Sequence, residues 1–280
     1  MTPAPIVLLH GATSSAKAWD ALIPPLGEKY RVFAPTLAGH CDGPPLPAGD
    51  AGVVHRIVDS TCRQLDEAAI DTAHIVGNSL GGWVALELAR RGRAKSVLAL
   101  SPAGAWRSPR DLRRLLVVFR AGAALAGANY MSQLVAHKRA RRILLRLMAE
   151  HSDRLTLAQV AAMFQDMAAC SALPDILDGA RNNGPIEPVL EVKCPVRIAW
   201  GTHDRMLPFM RYGVPMLLAV PDAELRFLPG VGHVPMVDDP VLVANTILDF
   251  VESNERIAVL SSGDGVGGED PAVENSAQQH

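Results

Sequence analysis

Cysteine is scarce in this sequence, and its few copies are scattered. The four cysteines are Cys41, Cys62, Cys170 and Cys194. None belongs to a CxxC pair or stands near histidines at the spacing of metal ligands, so neither a disulfide framework nor a zinc site is predicted. We expect reduced thiols and no metal or other cofactor.

Long apolar runs and an excess of charge of one sign are also missing. No segment approaches the roughly 18 to 20 uninterrupted apolar residues of a transmembrane helix, and residues 1–9 lack the basic region and length of a signal peptide. The 27 basic residues nearly balance the 29 acidic ones, which gives no indication of a nucleic-acid partner. We therefore expect a cytoplasmic monomer or homodimer that acts on a small-molecule substrate, without nucleic acid or an integral membrane segment.

The sequence does contain an alternation of short apolar runs with longer amphipathic stretches, which is typical of a parallel sheet built from strand–helix units. Strands are predicted near Ile6–Leu9, Arg31–Ala34, Ala73–Val76, Ser96–Leu100, Val196–Trp200 and Glu224–Leu228. Helices are predicted over Ala16–Glu28, Val53–Ala69, Leu80–Arg91, Arg211–Ala219 and Pro240–Glu252. The predicted fold class is α/β, with a mostly parallel central sheet flanked by helices.

A long insertion and a polar C-terminus interrupt this alternation. About 90 residues separate the fourth strand from the fifth, far more than one crossover helix needs, and their apolar residues recur at helical spacing. We predict a helical cap over 104–185, rich in basic residues, inserted into a core formed by 1–103 and 186–254. The glycine-rich residues 255–280 are predicted to be a flexible acidic tail.

Three residues at predicted strand ends have the chemistry of a nucleophilic site. Ser79 follows the third strand, within a GxSxG motif, Asp204 follows the fifth and His233 follows the sixth. A serine hydroxyl needs a base within hydrogen-bond reach and a third group that orients the base. Because the carboxyl ends of parallel strands meet at one crevice, we expect Ser79 as nucleophile, His233 as base and Asp204 as acid.

Each of these residues also has a simpler interpretation. Ser79 could cap the following helix, Asp204 could be an ordinary turn residue, and His233 could only pack in its loop. The glycines on either side of Ser79 argue against a plain cap, because they remove side chains where strand and helix come together. If Asp204 is not the acid, Asp238 or Asp239 is the next candidate.

Acyl transfer places negative charge on the former carbonyl oxygen, so the site also needs preorganised N–H donors. The amide of Leu80 directly follows the nucleophile at a helix N-terminus and is one natural donor. The loop after the first strand should provide the other, and we choose the amide of Ala12. His10, at the end of the same strand, is expected to have a structural role.

These motifs resemble the α/β-hydrolase-fold superfamily. The resemblance covers Pro5–Val251 and rests on His10-Gly11, Gly39-His40, the GxSxG motif, Gly201-Thr202-His203-Asp204 and Gly232-His233. It implies Ser79 as nucleophile, Asp204 as orienting acid, His233 as base and 104–185 as a helical cap. Haloalkane dehalogenases and epoxide hydrolases have a similar His-Gly loop but use an aspartate where Ser79 stands, which disfavours both activities.

The Gly-Asn-Ser-x-Gly-Gly motif at 77–82 also resembles the corresponding motif of carbon–carbon bond hydrolases of aromatic degradation. Those enzymes typically have a glycine-rich loop after the first strand and a tryptophan after the catalytic histidine. This chain has Ala12-Thr13-Ser14 and Val234 at the corresponding positions. Both departures weaken that assignment.

The sequence therefore predicts a serine hydrolase, in particular a carboxylesterase that cleaves a small to medium, fairly hydrophobic substrate through an acyl-enzyme. A thioesterase, a carbon–carbon bond hydrolase of the same fold and a non-catalytic receptor with an idle triad remain alternatives. The residues expected to bind substrate are Trp83, Trp106, Met131, Met163, Met206 and Val234.

Overall fold

A single parallel sheet forms the centre of the computed structural model, which describes residues 3–126, 135–190 and 192–263. Its six strands are arranged in the order β2-β1-β3-β4-β5-β6. They are β1 (Ile6–Leu9), β2 (Val32–Phe33), β3 (Ala73–Asn78), β4 (Ala94–Leu100), β5 (Val196–Gly201) and β6 (Glu224–Leu228). The observed strands agree closely with the predicted ones, and the α/β fold class is confirmed.

The order of the strands decides where a site can form. The chain proceeds from β1 outward to β2 and then returns to the other side of β1 as β3. In open parallel sheets such a reversal opens a crevice at the carboxyl ends of the strands, where ligands bind. The loop after β1 and the turn after β3 both border this crevice.

Helices cover both faces of the sheet, so β1, β3 and β5 are buried along their whole length and consist mostly of apolar residues. The ten α-helices among the described residues are α1 (Ile23–Gly27), α2 (Val53–Glu67), α3 (Leu80–Arg90), α4 (Pro109–Ala126), α5 (Lys138–Leu144), α6 (Leu157–Ala168), α7 (Leu173–Asn182), α8 (Phe209–Ala219), α9 (Pro235–Asp238) and α10 (Pro240–Gly263). Helices α2, α3 and α8 contribute to the core on one face, and α1 and α10 contribute to the core on the other.

The segment between β4 and β5 contains four of these helices, α4 to α7, as the helical pattern predicts. Two small apolar clusters hold it together, one around Leu116 and Leu177 and the other around Leu145 and Val160. Helix α6 begins with a capping box, in which the Thr156 hydroxyl and the Gln159 side chain satisfy each other's backbone amides. We refer to residues 104–185 as the cap.

Two helices differ from the sequence-based expectation. The single helix predicted over Ala16–Glu28 is a 3-10 turn at Ala16–Trp19 followed by α1, because Pro24 and Pro25 are tolerated only in the first turn of a helix. The last helix reaches Gly263 instead of Glu252. Within this extension Glu255 accepts a hydrogen bond from the Tyr30 hydroxyl at 2.9 Å, which ties the helix to the loop before β2.

The flexible tail was predicted over 255–280, whereas residues 255–263 form the end of helix α10. Residues 264–280 lie outside the described part of the chain. Within the described ranges, no helix combines the length and the apolar character required to cross a membrane.

Candidate active site

Ser79 occupies a sharp turn between β3 and α3, with the left-handed backbone angles φ 54° and ψ −115°. Such angles are unfavourable for a residue with a side chain and typically mark functional sites. A Cβ atom on Gly77 would overlap the carbonyl of Gly81, and one on Gly81 would overlap the carbonyl of Leu9. The two glycines therefore permit the close approach of strand and helix that this turn requires.

The hydroxyl of Ser79 does not cap the helix that follows it. Helix α3 begins directly after Ser79, yet the side chain makes no capping hydrogen bond. The turn is instead fixed by its backbone, since the Ser79 amide donates to Leu100 (3.0 Å) and the Ser79 carbonyl accepts from Ala103 (2.9 Å). This arrangement leaves the hydroxyl available for chemistry, contrary to the simple capping interpretation.

His233 and Asp204 form a buried pair. The distance from His233 Nδ1 to Asp204 Oδ2 is 2.8 Å, and the residues are 4% and 7% exposed, respectively. Because a carboxylate can only accept, Nδ1 carries a proton, and in the neutral imidazole Nε2 then keeps its lone pair. The other oxygen of Asp204 accepts from the Leu207 amide at 2.7 Å, which fixes the carboxylate in its loop.

Asn78 connects the nucleophile turn to the histidine loop, a role that the sequence analysis missed. Its side-chain amide donates to the carbonyl of His233 at 2.9 Å and to the carbonyl of Leu100 at 3.0 Å. Asn78 directly precedes Ser79, so these bonds fix the main chain of the base relative to the nucleophile. The only sequence signal was an amide side chain inside the GxSxG motif.

The two predicted oxyanion donors lie beside Ser79. Leu80 begins α3, and its amide precedes the first intrahelical hydrogen bond. A Cβ atom on Gly11 would lie 3.3 Å from Ser79 Cβ, so the loop carrying Ala12 runs directly past the nucleophile. Within the described ranges neither amide donates a hydrogen bond, and both residues line a cavity that reaches Ser79.

Two cavities, of about 300 Å³ and about 630 Å³, meet at the nucleophile. Residues that line both are Ala12, Ser79, Phe119, Met206 and His233. The smaller cavity extends along α3 towards α7, and the larger one lies under α4, α5 and α6. The crevice is therefore a two-sided, predominantly apolar chamber roofed by the cap.

Five of the six residues expected to bind substrate line these cavities. Trp83 and Trp106 border the smaller cavity, Met163 and Val234 border the larger one, and Met206 borders both. Met131 lies outside the described residues.

The model of the alpha/beta hydrolase family matches residues 6–246 of the chain. The chain belongs to this family. This α/β hydrolase is 34% identical over 200 residues to the epoxide hydrolase EphH of Mycobacterium tuberculosis. The aligned region covers 70% of this chain and 94% of the relative.

Solved structures are similar in fold. A crystal structure of a membrane phospholipase A, described as a bacterial virulence factor, matches with a TM-score of 0.70 and 23% identity, covering 90% of this chain and 80% of that one. The 2-hydroxy-6-oxo-6-phenylhexa-2,4-dienoate hydrolase of Rhodococcus sp. strain RHA1 matches with a TM-score of 0.70 and 22% identity, covering 91% of each chain. At these identities the two structures show the fold alone, and the support for hydrolase activity comes from the family match and from the relative EphH.

Both ring nitrogens of His10 in this α/β hydrolase are hydrogen-bonded to main-chain groups. Its Nε2 accepts from the Leu37 amide at 2.9 Å and its Nδ1 donates to the Gly11 carbonyl at 2.8 Å. Burial, with a smaller effect of the nearby His40, lowers the pKa of His10 to about 3. A neutral imidazole with both nitrogens hydrogen-bonded is consistent with a structural role, in which His10 fixes the shape of the loop after β1 that carries Ala12.

We predict that His10 makes the folded protein less stable in mild acid. Its pKa is about 3 when folded, against the ordinary value of 6.5, so between these values only the unfolded chain binds the proton. The contribution of His10 to the free energy of unfolding is fully present above pH 6.5. Below that pH it falls by about 1.4 kcal/mol per pH unit.

Urea unfolding measured between about pH 7 and about pH 5 should detect this slope. His10→Gln does not titrate, so its free energy of unfolding should depend less steeply on pH than that of the wild type. Equal slopes in the two proteins would contradict the prediction.

Proposed function

We propose that this α/β hydrolase cleaves a carboxylic ester of a small to medium, fairly hydrophobic substrate, with Ser79 as nucleophile. The observation that carries the proposal is the convergence of Ser79 with the buried His233–Asp204 pair at the junction of two apolar cavities. A serine, an oriented base and two free backbone amides are the parts that acyl transfer needs.

The proposed reaction begins when Ser79 Oγ attacks the acyl carbon and His233 Nε2 takes the hydroxyl proton. Negative charge develops on the carbonyl oxygen, which the amides of Ala12 and Leu80 stabilise. His233 then gives its proton to the leaving alcohol, and an acyl-enzyme ester remains on Ser79. Water attacks that ester with the same base, releasing the acid and restoring the serine.

The two cavities support a bipartite substrate. An ester has one group on each side of the carbonyl carbon, and Ser79 lies where the two cavities meet. Their combined lining is predominantly apolar, with Trp83, Phe119 and Met163 among the contributors, so burial of hydrocarbon stabilises the complex. This geometry favours hydrophobic groups on both the acyl and the alcohol side.

Epoxide hydrolysis, the activity named for the relative EphH, fits the residue at position 79 less well. Opening an epoxide with a serine would leave an alkyl ether on Ser79, which has no acyl carbon for water to attack. Opening with a carboxylate leaves an ester, which water can hydrolyse, and family members of this kind resemble the present chain but use aspartate at that position. Ser79 therefore favours acyl transfer.

A substrate panel tests the proposal. Purified protein would be given p-nitrophenyl acyl esters, acyl-CoA thioesters, a vinylogous diketone and styrene oxide. We expect the esters to have the highest kcat/KM and a fluorophosphonate probe to label Ser79, as located by peptide mass spectrometry. Turnover of the diketone alone would support the alternative of a carbon–carbon bond hydrolase. Turnover of the thioesters alone would support the alternative of a thioesterase. Folded protein that neither labels nor turns over any substrate would support the receptor.

A further inference from the structure

Asp238 is a buried carboxylate whose hydrogen-bond partners, among the described residues, are all main-chain amides. It ends the short helix α9, is 4% exposed, and its two oxygens accept three hydrogen bonds. Oδ2 accepts from the amides of Gly232 (2.7 Å) and Glu150 (3.0 Å), and Oδ1 accepts from the amide of His151 (2.7 Å). One side chain thus joins the residue before His233 to two residues of the cap.

The cap segment in question, Met148–His151, lies directly on the histidine loop. The amide of Val234 donates to the carbonyl of Met148 at 2.9 Å. A Cβ atom on Gly232 would lie 3.1 Å from the Met148 carbonyl oxygen and 3.1 Å from the Glu150 nitrogen, so glycine allows this close fit. The main chain on both sides of His233 is therefore bonded to Asp238 or to the cap.

The same segment also reaches the loop of the acid. The side chain of Glu150 pairs with Arg205, which directly follows Asp204, and lies 3.9 Å from His203 Nδ1. The Arg205 guanidinium holds the pKa of Glu150 below its ordinary value, so this carboxylate is ionised at neutral pH. Segment Met148–His151 thus contacts the loops of both members of the His233–Asp204 pair.

We propose that Asp238 is a positioning residue, which fixes the main chain of His233 and binds the cap with the same carboxylate. Alignment of the imidazole towards Ser79 then depends on the docked cap segment. The inference rests on the proposed function, because it assigns His233 as the base. Small misplacements of catalytic groups cost about 100-fold in rate, which sets the size of the expected effect.

The test compares Asp238→Asn with Asp239→Asn. Asparagine keeps one acceptor oxygen but turns an NH₂ group towards amides that also donate. Asp239 is a matched control, because in the described part of the chain its side chain accepts from the Leu242 amide at the start of α10 and from no group of the histidine loop or the cap. We expect Asp238→Asn to slow fluorophosphonate labelling of Ser79 by about 10- to 100-fold, and Asp239→Asn to stay within about twofold of the wild type.

The low-field proton resonance of His233 Nδ1–H provides a second readout, which a merely structural role would not move. It should shift or broaden in Asp238→Asn and stay unchanged in Asp239→Asn. Unchanged labelling and an unchanged resonance in a less stable Asp238→Asn would overturn the inference. If wild-type protein does not label at all, the proposed function fails, and the resonance alone decides whether Asp238 positions His233.

Gly232→Ala keeps the proposal testable if Asp238→Asn does not fold. This variant retains the Asp238 carboxylate, but the added Cβ displaces Met148 and Glu150 by a few tenths of an ångström. We expect slower labelling and a shifted His233 resonance in this variant as well. Wild-type behaviour in both measurements would contradict the dependence on the cap.

Discussion

Replacing Ser79 with alanine is expected to lower kcat for ester hydrolysis by about 10⁶-fold, the size of the effect when a serine nucleophile is removed from a working triad. The reason is that no other described hydroxyl has the same combination of position and environment. Ser79 lines both cavities together with His233, and its hydroxyl makes no capping bond. Without it, water must attack the ester directly.

The fold of Ser79→Ala should not change. Alanine also has a Cβ, so the strain of φ 54° is the same in both proteins, and the turn is held by backbone hydrogen bonds that the substitution leaves in place. We expect the free energy of unfolding to stay within about 0.5 kcal/mol of the wild type or to rise slightly.

Ser101→Ala is the matched control for this measurement. Ser101 is also a buried serine with a positive φ, 43°, at the end of the neighbouring strand β4. Its hydroxyl has no hydrogen-bond partner among the described residues, so its removal should affect activity by less than about twofold. Steady-state kinetics with p-nitrophenyl esters measures both variants. Residual activity of Ser79→Ala above about 1% would show that another residue attacks the substrate.

The sequence predicted the sheet and the nucleophile turn well because both depend on local physics. Strands covered on both faces are mostly apolar, so Ala73–Asn78 and Val196–Gly201 stand out without any knowledge of their neighbours, although the first contains His74 and the second Arg197. The turn at Ser79 needs Gly77 for a local steric reason, the approach of Gly81, and it needs Gly81 because that residue packs against Leu9 at the end of β1. The topology of parallel strands then places the loops of Asp204 and His233 at the same edge.

The contacts that hold the site together could not be predicted in this way. The bonds from Asn78 to His233 and from Asp238 to the cap join segments far apart in sequence, and neither residue type is diagnostic at its position. The extension of α10 to Gly263 similarly depends on partners such as Tyr30 on a distant loop. Tertiary packing decides such features, and a single sequence contains little record of it.

Asp204→Asn is expected to lower kcat by about 10⁴-fold while the protein stays folded, as the same change does in a serine protease triad. The carboxylate accepts the Nδ1 proton of His233 at 2.8 Å. An amide NH₂ in its place donates, so the imidazole must move its proton to Nε2. In that tautomer Nε2 cannot take the proton from Ser79.

The other interaction of Asp204 explains why the fold should survive. Its Oδ1 accepts from the Leu207 amide at 2.7 Å, and the carbonyl oxygen of asparagine can keep that bond. Keeping it fixes the orientation of the amide and directs the NH₂ group at His233, so the loop geometry itself enforces the wrong tautomer. KM should change little, because the lost interaction acts on the base and not on bound substrate.

Asp222→Asn, at an exposed position before β6, serves as the control for the loss of one negative charge. Kinetics should give wild-type rates for this control, while the low-field Nδ1 proton signal of His233 should disappear only in Asp204→Asn. Near-normal turnover of Asp204→Asn would mean that another group orients the base. Asp238 is a poor substitute for Asp204 in that role, because both of its oxygens already accept hydrogen bonds from main-chain amides.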